Sequence, residues 1–433
     1  MKYYLWTIGC QMNFADSRQV AEELERLGFA PAAGAEEADL VLLNSCVVRQ
    51  SAEDKVAGRL TSLKGLKHRR PGVRLALMGC FVHETAALQA RYPWVDAFIA
   101  PSDIDSAVAF ARQTAGGGWC APAGESRAPA VRRVPVAAGV PISYGCDHLC
   151  TYCIVRLRRG REVSRPLAEI AAEVRELAGR GVREVTLLGQ NVDSYGHDLP
   201  PAGPGQNPVD LAGLLEAVHL AGGLARIRFL TSHPADMTGR LIETAAHLPK
   251  VCEHIELPVQ SGDDTVLRRM GRGYTAAQYR ELVAHIRSAM PGAGLATDVI
   301  AGFPGETAAQ FEATYRLLEE LRFDMVHVAA YSPRPGTPAE RLPDDVPAAE
   351  KERRRRAVDD LQERVVGEIN AALLGTVVEV LVEDRQRGKW RGRTRTNKLV
   401  FFDVGETGRQ GELVPVRITR TGPWSLQGEP AGT

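Results

Sequence analysis

Cys146, Cys150 and Cys153 place three thiols within eight residues, in the spacing CxxxCxxC. A local turn of that length can bring three sulfurs toward one metal centre. Thiolates prefer soft metals, so zinc and iron–sulfur clusters are the candidates. A structural zinc site takes four protein ligands, and no fourth Cys or His follows at finger spacing. A four-iron cube held by three cysteines instead leaves one iron free for an exogenous ligand. The competing readings are a structural metal knuckle and a disulfide pair.

A chain of 433 residues has room for two or three domains with a sizeable core. Its 53 basic and 53 acidic residues give zero formal charge, which does not announce a nucleic-acid binder and does not exclude a local basic surface. The opening MKYYLWTIGC reads as a short buried strand, without the longer apolar run and cleavage site of a signal peptide. No run reaches membrane-spanning length. The expectation is a soluble, cytoplasmic protein with no membrane segment. The eight cysteines, in a long chain without secretory features, point to metal binding or catalysis rather than disulfides.

Residues 3–9 read as a strand ending at Cys10, and Asp16-Ser17 as the start of an amphipathic helix over 16–28. Leu40 to Leu43 form a second strand running into Asn44-Ser45-Cys46. After a helix through Ala52, Val56, Leu60 and Leu63, Arg74 to Met78 form a third strand ending in Gly79-Cys80. Strand–helix repetition implies a small parallel α/β domain. Ligands of open parallel sheets gather beyond the carboxyl ends of the strands, where Cys10, Cys46 and Cys80 all fall. They can hold a second cluster with three ligands and an open iron, or be three ordinary buried thiols; spacing alone does not choose. The downstream cysteine motif favours a second cluster. Cys120 is expected in a linker and Cys252 in the core.

The domain boundaries predicted are 1–112, a linker over 113–133 rich in Gly, Ala and Pro, 134–368, and 369–433. From 134 onward strands and helices alternate, with strands at 185–188, 227–230, 254–257, 295–300 and 325–330. This implies a partial (β/α) barrel whose active face carries polar residues at the carboxyl ends of its strands. Gln190, Ser232, Gln260 and Asp298 sit at or near such ends. They either bond a nucleoside or amino-acid moiety or serve as caps and loop supports. Gly302 to Gly305 is a tight turn or a backbone approach to a ligand, and it lacks the Gly-Lys-Ser/Thr ending of a phosphate loop. His233 precedes a proline and reads as structural. Arg156, Arg158, Arg159, Arg161 and Arg165 crowd the loop after Cys153, suited to a phosphate or carboxylate or simply solvated. The charged run 348–369 is expected to be an exposed helical connector.

From Gly375 the pattern becomes short strands at 377–382, 398–402 and 413–418, a small β-barrel of oligonucleotide-binding type. Arg385, Arg387, Lys389, Arg391, Arg393, Arg395 and Lys398 fall in 14 positions without an acid. With Trp390 among them, phosphate contacts plus base stacking are one reading and an ordinary basic hairpin is the other.

Taken together these stretches resemble the methylthiotransferase family of the radical-SAM superfamily, where SAM is S-adenosylmethionine, and the resemblance covers nearly the whole chain. Tyr152 before the last cysteine of Cys146–Cys153 matches the superfamily's aromatic position. Gly9-Cys10-Gln11-Met12-Asn13 followed by Asp16-Ser17 resembles the MiaB-type, tRNA-modifying branch. The ribosomal-protein branch usually has Pro-Lys after that cysteine, and the threonylcarbamoyladenosine branch Lys-Val or similar. Asn44-Ser45-Cys46-Val47-Val48-Arg49 with Ala52-Glu53-Asp54-Lys55 fits the same branch, and Leu257 to Gly262 fits the middle of the family at large. In Met270-Gly271-Arg272-Gly273-Tyr274, Gly271 replaces the usual Asn. Gly392-Arg393-Thr394 with Asn397-Lys398 resembles that branch's TRAM domain, a small RNA-binding barrel. Arg156 for Pro, Arg158 for Thr and Asp147 for Asn depart from the family pattern without touching a cysteine.

The resemblance implies two 4Fe–4S clusters, one on Cys146, Cys150 and Cys153 binding SAM, the other on Cys10, Cys46 and Cys80 carrying sulfur. It implies that Tyr152, Gln190, Ser232, Gln260 and Asp298 lie around SAM. The implied reaction places a methylthio group on C2 of isopentenyladenosine at tRNA position 37, using two SAM molecules. Implied partners are the tRNA anticodon stem–loop bearing that base, a flavodoxin or ferredoxin electron donor and a sulfur source, with the protein itself a monomer. The alternative within the family is action on threonylcarbamoyladenosine in tRNA or on a ribosomal-protein aspartate.

Overall fold

The computed structural model describes residues 1–47, 50–116, 134–200, 209–403 and 409–431. Two compact units divide the chain. One holds Met1–Val134, Tyr144–Cys146 and Ile154–Arg161; the other holds Pro135–Ser143, Asp147–Cys153 and Glu162–Thr433. Cys120 and most of the expected linker lie outside the described residues.

The first unit is built on five parallel strands, β1 (Lys2–Thr7), β2 (Ala30–Pro31), β3 (Leu40–Ser45), β4 (Arg74–Gly79) and β5 (Ala97–Ile99), in the order β2-β1-β3-β4-β5. β3 is buried along its whole length, which is why Leu40-Val41-Leu42-Leu43 shows no polar alternation. Its side chains still alternate between two cores. Val41 and Leu43 pack with Val56 and Leu60 of the Gln50–Arg69 helix. Leu40 and Leu42 pack with Val20 and Leu24 of α1 (Gln11–Arg26) and with Phe110.

α1 begins at Gln11, not at the expected Asp16-Ser17. Those two polar residues are buried mid-helix with partners. Asp16 accepts from the Ser102 hydroxyl at 2.9 Å, and Ser17 bonds Thr7 at 2.7 Å and Asn44 at 3.0 Å. Polar groups with partners on other elements can occupy a core where a sequence suggests a cap.

In the second unit six parallel strands come in chain order: Ala137–Pro141, Glu184–Leu188 and Arg226–Phe229, then His254–Glu256, Gly294–Ala301 and Met325–Ala330. The halves meet where Ile227 N–H donates to the Lys250 carbonyl at 2.7 Å and Ser232 N–H to that of Glu256 at 3.2 Å. Helices alternate with the strands around one core, giving the partial (β/α) barrel. Val377–Gln386, Lys389–Thr394, Leu399–Phe402, Leu426–Pro430 and Leu413–Thr421 then close a five-stranded barrel.

The Ala348–Ala371 helix is not the exposed connector expected from its charge. Lys351, Arg354, Val358, Leu361, Gln362 and Val365 are buried along one side. Arg354 donates to the Glu306 carboxylate at 2.7 Å, and the Lys351 ammonium lies over the Tyr331 ring. Long basic side chains bury their stems when the head finds an anion or an aromatic face. Among the described residues no helix is long and apolar enough to cross a membrane.

Candidate functional site

β1, β3 and β4 each deliver a cysteine past the carboxyl end. Cys46 follows β3 directly and Cys80 follows β4, with Ser45 paired to Gly79 in register. Cys10 follows β1 after a two-residue loop. A Cβ on Gly9 would lie 2.6 Å from that of Cys46, and one on Gly79 would lie 2.5 Å from the Ser45 carbonyl. Gly79 also has φ +97°, so glycine there serves both conformation and approach. Cys46 and Cys80 are buried and Cys10 is exposed.

Burial pushes the Cys80 thiol up, Arg159 pulls it down, and Cys10 and Cys46 push it up again. Three neighbouring thiolates repel one another, and a metal centre would offset that repulsion. A single zinc holds its sulfurs about 3.8 Å apart. Among the described residues the one group of three ligand atoms within 4.8 Å of one another is His148, His233 and Asp236, without a cysteine. Cys10, Cys46 and Cys80 therefore fit a multi-iron cluster better than one zinc.

Two asparagines brace this edge. Asn13 donates to the Ser45 carbonyl at 2.7 Å and to Asn44 at 3.0 Å, and Cys10 donates to Asn13 Oδ1 at 3.1 Å. Arg159, from the basic loop after Cys153, enters the same place. Its guanidinium bonds the Ser102 hydroxyl at 2.7 Å and, at 3.3 Å, Asn13 Oδ1, the oxygen that also accepts from Cys10, and its charge pulls the Cys80 thiol down. Of the readings open for this arginine the solvated one does not hold, since its side chain is 4% accessible and lies 3.7 Å from the Asp16 carboxylate.

In the Cys146–Cys153 stretch, Cys153 N–H donates to the Cys150 carbonyl at 3.0 Å, and Thr151 N–H to that of Met270 at 2.9 Å. The buried Arg272 guanidinium reaches Cys150 Sγ and the Tyr152 hydroxyl, each at 3.4 Å, and donates to the Pro258 carbonyl at 2.9 Å. Burial raises the Tyr152 phenol well above its ordinary range, so it stays neutral. Cys146 N–H donates to the Gly160 carbonyl at 3.3 Å.

Gln190, Ser232 and Gln260 come after barrel strands at their carboxyl ends, and Asp298 lies within Gly294–Ala301. Gln260 N–H donates to the Asp298 carbonyl at 2.8 Å. Thr231 (φ 72°) and Gln260 (φ 68°) both hold left-handed backbone at this edge. That conformation is costly for a β-branched residue and collects at functional sites. The Ser232 hydroxyl is turned to Asp193, donating at 3.0 Å, while His233 N–H donates to the other oxygen at 3.0 Å.

Burial pushes Asp193 up to about 8. Because its folded value is raised, its contribution is fully present below the ordinary carboxylate value and is lost as pH rises through about 8. Asp193→Asn removes that dependence. Thermal melts should show the variant gaining on wild type between pH 4 and pH 9, and a constant difference would contradict the assignment.

Asp193 lines a cavity of about 540 Å³ with Asp147, His148, Glu162, Asn191, Tyr195, His197 and Asp236. The His148 and His233 rings stack at 3.7 Å and 14°. Parallel rings send their lone pairs side by side rather than to one point, which argues against a metal there. Burial, with Arg272 and His148, holds His233 down to about 2. His148 and Asn191 bond Asp236 at 2.5 and 2.6 Å. No sequence signal singles out Arg272, Asp193 or Asp236 as a site residue, or Arg159 from the other arginines of its loop.

The seven basic residues of the C-terminal barrel have different fates. Arg395 bonds Glu253 through two nitrogens at 2.7 Å, and Lys398 pairs with Asp324. Arg391 pairs with Asp384 and Arg393 with Glu383. Lys389 is 3.6 Å from Asp403 and half-buried. Arg385 and Arg387 are exposed. Trp390 is in the barrel core with Arg385 over its ring, so its face is not open to a base. Trp424 is the exposed aromatic, 53% accessible.

Three family models match the chain. Residues 2–100 match one described as Uncharacterized protein family UPF0004, residues 140–318 the Radical SAM superfamily, and residues 371–431 the TRAM domain. A protein of Dehalococcoides mccartyi (strain CBDB1) named tRNA-2-methylthio-N(6)-dimethylallyladenosine synthase is 51% identical over 427 residues, 98% of this chain and 97% of that protein. A Roseiflexus protein of the same name is 49% identical over 438 residues, 99% of this chain and 89% of its own length. Among solved structures, the radical S-adenosylmethionine methyltransferase TsrM from Kitasatospora setae has a similar fold. Its TM-score is 0.57 at 14% identity, covering 78% of this chain and 75% of that one.

Proposed function

The chain belongs to the MiaB-type methylthiotransferases of the radical-SAM superfamily, and on that premise we propose that it installs a methylthio group at C2 of N6-isopentenyladenosine at position 37 of tRNA, consuming two SAM molecules. Isopentenyl and dimethylallyl name the same substituent here. The observation that carries the reading is the meeting of Cys10, Cys46 and Cys80 at the ends of three strands, in addition to the Cys146–Cys153 stretch. A radical-SAM enzyme needs only the latter set.

We assign a 4Fe–4S cluster to each set, with Cys146, Cys150 and Cys153 for SAM. Bound there, cluster and SAM supply a radical able to take hydrogen from an aromatic carbon, and the cluster on Cys10, Cys46 and Cys80 supplies sulfur. The chain's own residues hold and shield. Arg272 donates to the Cys150 sulfur and Thr151 ties the loop to Met270. Tyr152, Gln190, Ser232, Gln260 and Asp298 are proposed around SAM, with Ser232 acting through Asp193. The carboxylates of the cavity suit the N–H groups of a base and repel phosphate.

Phosphate contacts are proposed for Arg385, Arg387 and Lys389 in the first place. Arg391 and Arg393 would join by exchanging a carboxylate partner, and Arg395 and Lys398 would act by fixing the barrel. The domains are taken as 1–112, 134–368 and 369–433. The protein is inferred to be a cytoplasmic monomer that receives electrons from flavodoxin or ferredoxin and draws on a sulfur source.

The test is mass spectrometry of nucleosides from isopentenyladenosine-bearing tRNA incubated anaerobically with reconstituted protein, SAM and a reductant. Appearance of 2-methylthio-isopentenyladenosine is expected. Release of 5′-deoxyadenosine without that product would redirect the substrate to threonylcarbamoyladenosine in tRNA.

A further inference from the structure

Arg159 ends the short helix Val155–Arg159, and its side chain is 4% accessible. Such a buried guanidinium needs a full set of acceptors. It finds the Ser102 hydroxyl, Asn13 Oδ1 and, at 3.7 Å, Asp16 Oδ2. Ser102 closes the circuit by donating to Asp16 at 2.9 Å. Every one of these partners belongs to the N-terminal unit. Arg158, the next cation, is half-buried and has Glu53 and Glu84 near it as well as Cys80. Arg159 is thus a buried cation that shares the Asn13 oxygen with Cys10 of the second set, with the fully buried carboxylate of Asp16 opposing it.

A cluster on three thiolates is anionic, and reduction makes it more so. A fixed positive charge beside the sulfurs favours the reduced form, and a fixed negative charge beside them disfavours it. We propose that Arg159 is a positioning residue that sets the reduction potential of the cluster on Cys10, Cys46 and Cys80 through its positive charge, which Asn13 and Ser102 hold beside these cysteines, with Asp16 as the opposing charge. The proposal rests on the reading that these cysteines hold a cluster. The same device recurs at the other cysteine set, where Arg272 reaches Cys150 Sγ at 3.4 Å. Arg159 comes from the stretch directly after Cys153 yet acts on the N-terminal cysteines.

The experiment uses the full-length chain carrying Cys150→Ala and Cys153→Ala, so that iron and paramagnetic signal report the N-terminal cluster alone. Iron content is measured first. A parent without iron sinks the N-terminal cluster reading, and the proposal with it. In a loaded parent, potentiometric titration followed by electron paramagnetic resonance compares Arg159→Gln and Arg159→Lys. Arg159→Gln should lower the reduced-to-oxidised ratio at fixed potential at least about tenfold, which for one electron is about 59 mV toward more negative values. Arg159→Lys, which keeps the charge, should recover most of the shift. A ratio unchanged in Arg159→Gln overturns the proposal and leaves the cluster reading standing. If Arg159→Gln holds no iron, Asp16→Asn decides. Loss of the opposing charge must move the potential the other way, and no movement overturns the proposal.

Discussion

Replacing Cys80 with alanine is expected to reduce methylthio product at least about 100-fold while 5′-deoxyadenosine release continues near the wild-type rate. Cys80 sits at the end of β4, away in sequence from the Cys146–Cys153 stretch, and its neighbours are Cys10, Cys46 and Arg159. Its loss leaves two thiolates for a cluster proposed to need three. Reconstituted iron should fall from about eight to about four per chain. The truncation removes one buried atom from an apolar cluster around Phe81 and Leu88, so the unfolding cost is about 1 kcal/mol and the variant should fold. Product formation at wild-type level in a variant with four irons would mean that the N-terminal cysteines carry no sulfur for the reaction. Loss of deoxyadenosine as well would mean that the two cysteine sets do not work as separate centres.

That separation is legible in the amino-acid sequence, and the reason is geometric. A parallel strand announces itself by an unbroken apolar run, as in Leu40 to Leu43, and the residues just past the run must lie at the ligand-binding edge. Three runs each ending at a cysteine therefore converge wherever the helices lie. The partners of those cysteines are not legible. Arg159 meets Asn13, Asp16, Cys80 and Ser102, residues 57 to 146 positions away, and nothing local distinguishes it from Arg156 or Arg161. Arg272 reaches Cys150 across 122 positions for the same reason.

Other features carry a usable signal that composition masks. Along Lys389–Thr394 burial alternates strictly, with Trp390, Gly392 and Thr394 inside and Lys389, Arg391 and Arg393 turned outward. An aromatic in phase with Gly392 faces the core of a small barrel, so Trp390 belongs with Val380 and Phe402 rather than with a base. In the 348–371 helix, Val358, Leu361, Val365 and Val366 fall at helical spacing and mark a buried stripe. The run Arg353 to Arg356 draws attention away from it. Asp16 and Ser17 mislead differently, because a polar pair before an apolar pattern is the usual mark of a helix start. Here both are enclosed by partners on other elements, which a local rule cannot contain.

Replacing Arg226 with methionine is expected to destabilise the protein by about 2–5 kcal/mol and to free the C-terminal barrel for proteolysis. Arg226 and Arg228 lie on one face of the Arg226–Phe229 strand, while Ile227 and Phe229 face the main core. Arg226 is fully buried and donates to the Arg393 carbonyl at 2.7 Å, the Glu379 carbonyl at 3.2 Å and the Glu379 carboxylate at 2.9 Å. Arg228 donates to the Arg395 and Thr394 carbonyls at 2.7 and 2.8 Å. Arg395 returns the contact through Glu253. The basic edge of the barrel is thus fastened by its backbone, and methionine fills the volume while leaving two inward carbonyls unpaired. The Glu379 carboxylate is partly exposed, so its ion pair adds little. Chemical denaturation would give the loss, and limited digestion with a broad-specificity protease should release a fragment beginning near residue 372 at a much higher rate. Exchanging Arg385, Arg387 and Lys389 for alanine should do the opposite. Stability should hold within about 0.5 kcal/mol, while the salt dependence of tRNA binding flattens by about 0.7 per lost phosphate contact. Equal stability of Arg226→Met and wild type would show that the barrel is held by something other than these arginines. An unchanged salt slope in the triple variant would move the RNA surface away from the Arg385–Lys389 turn, with the exposed Trp424 as the next place to test.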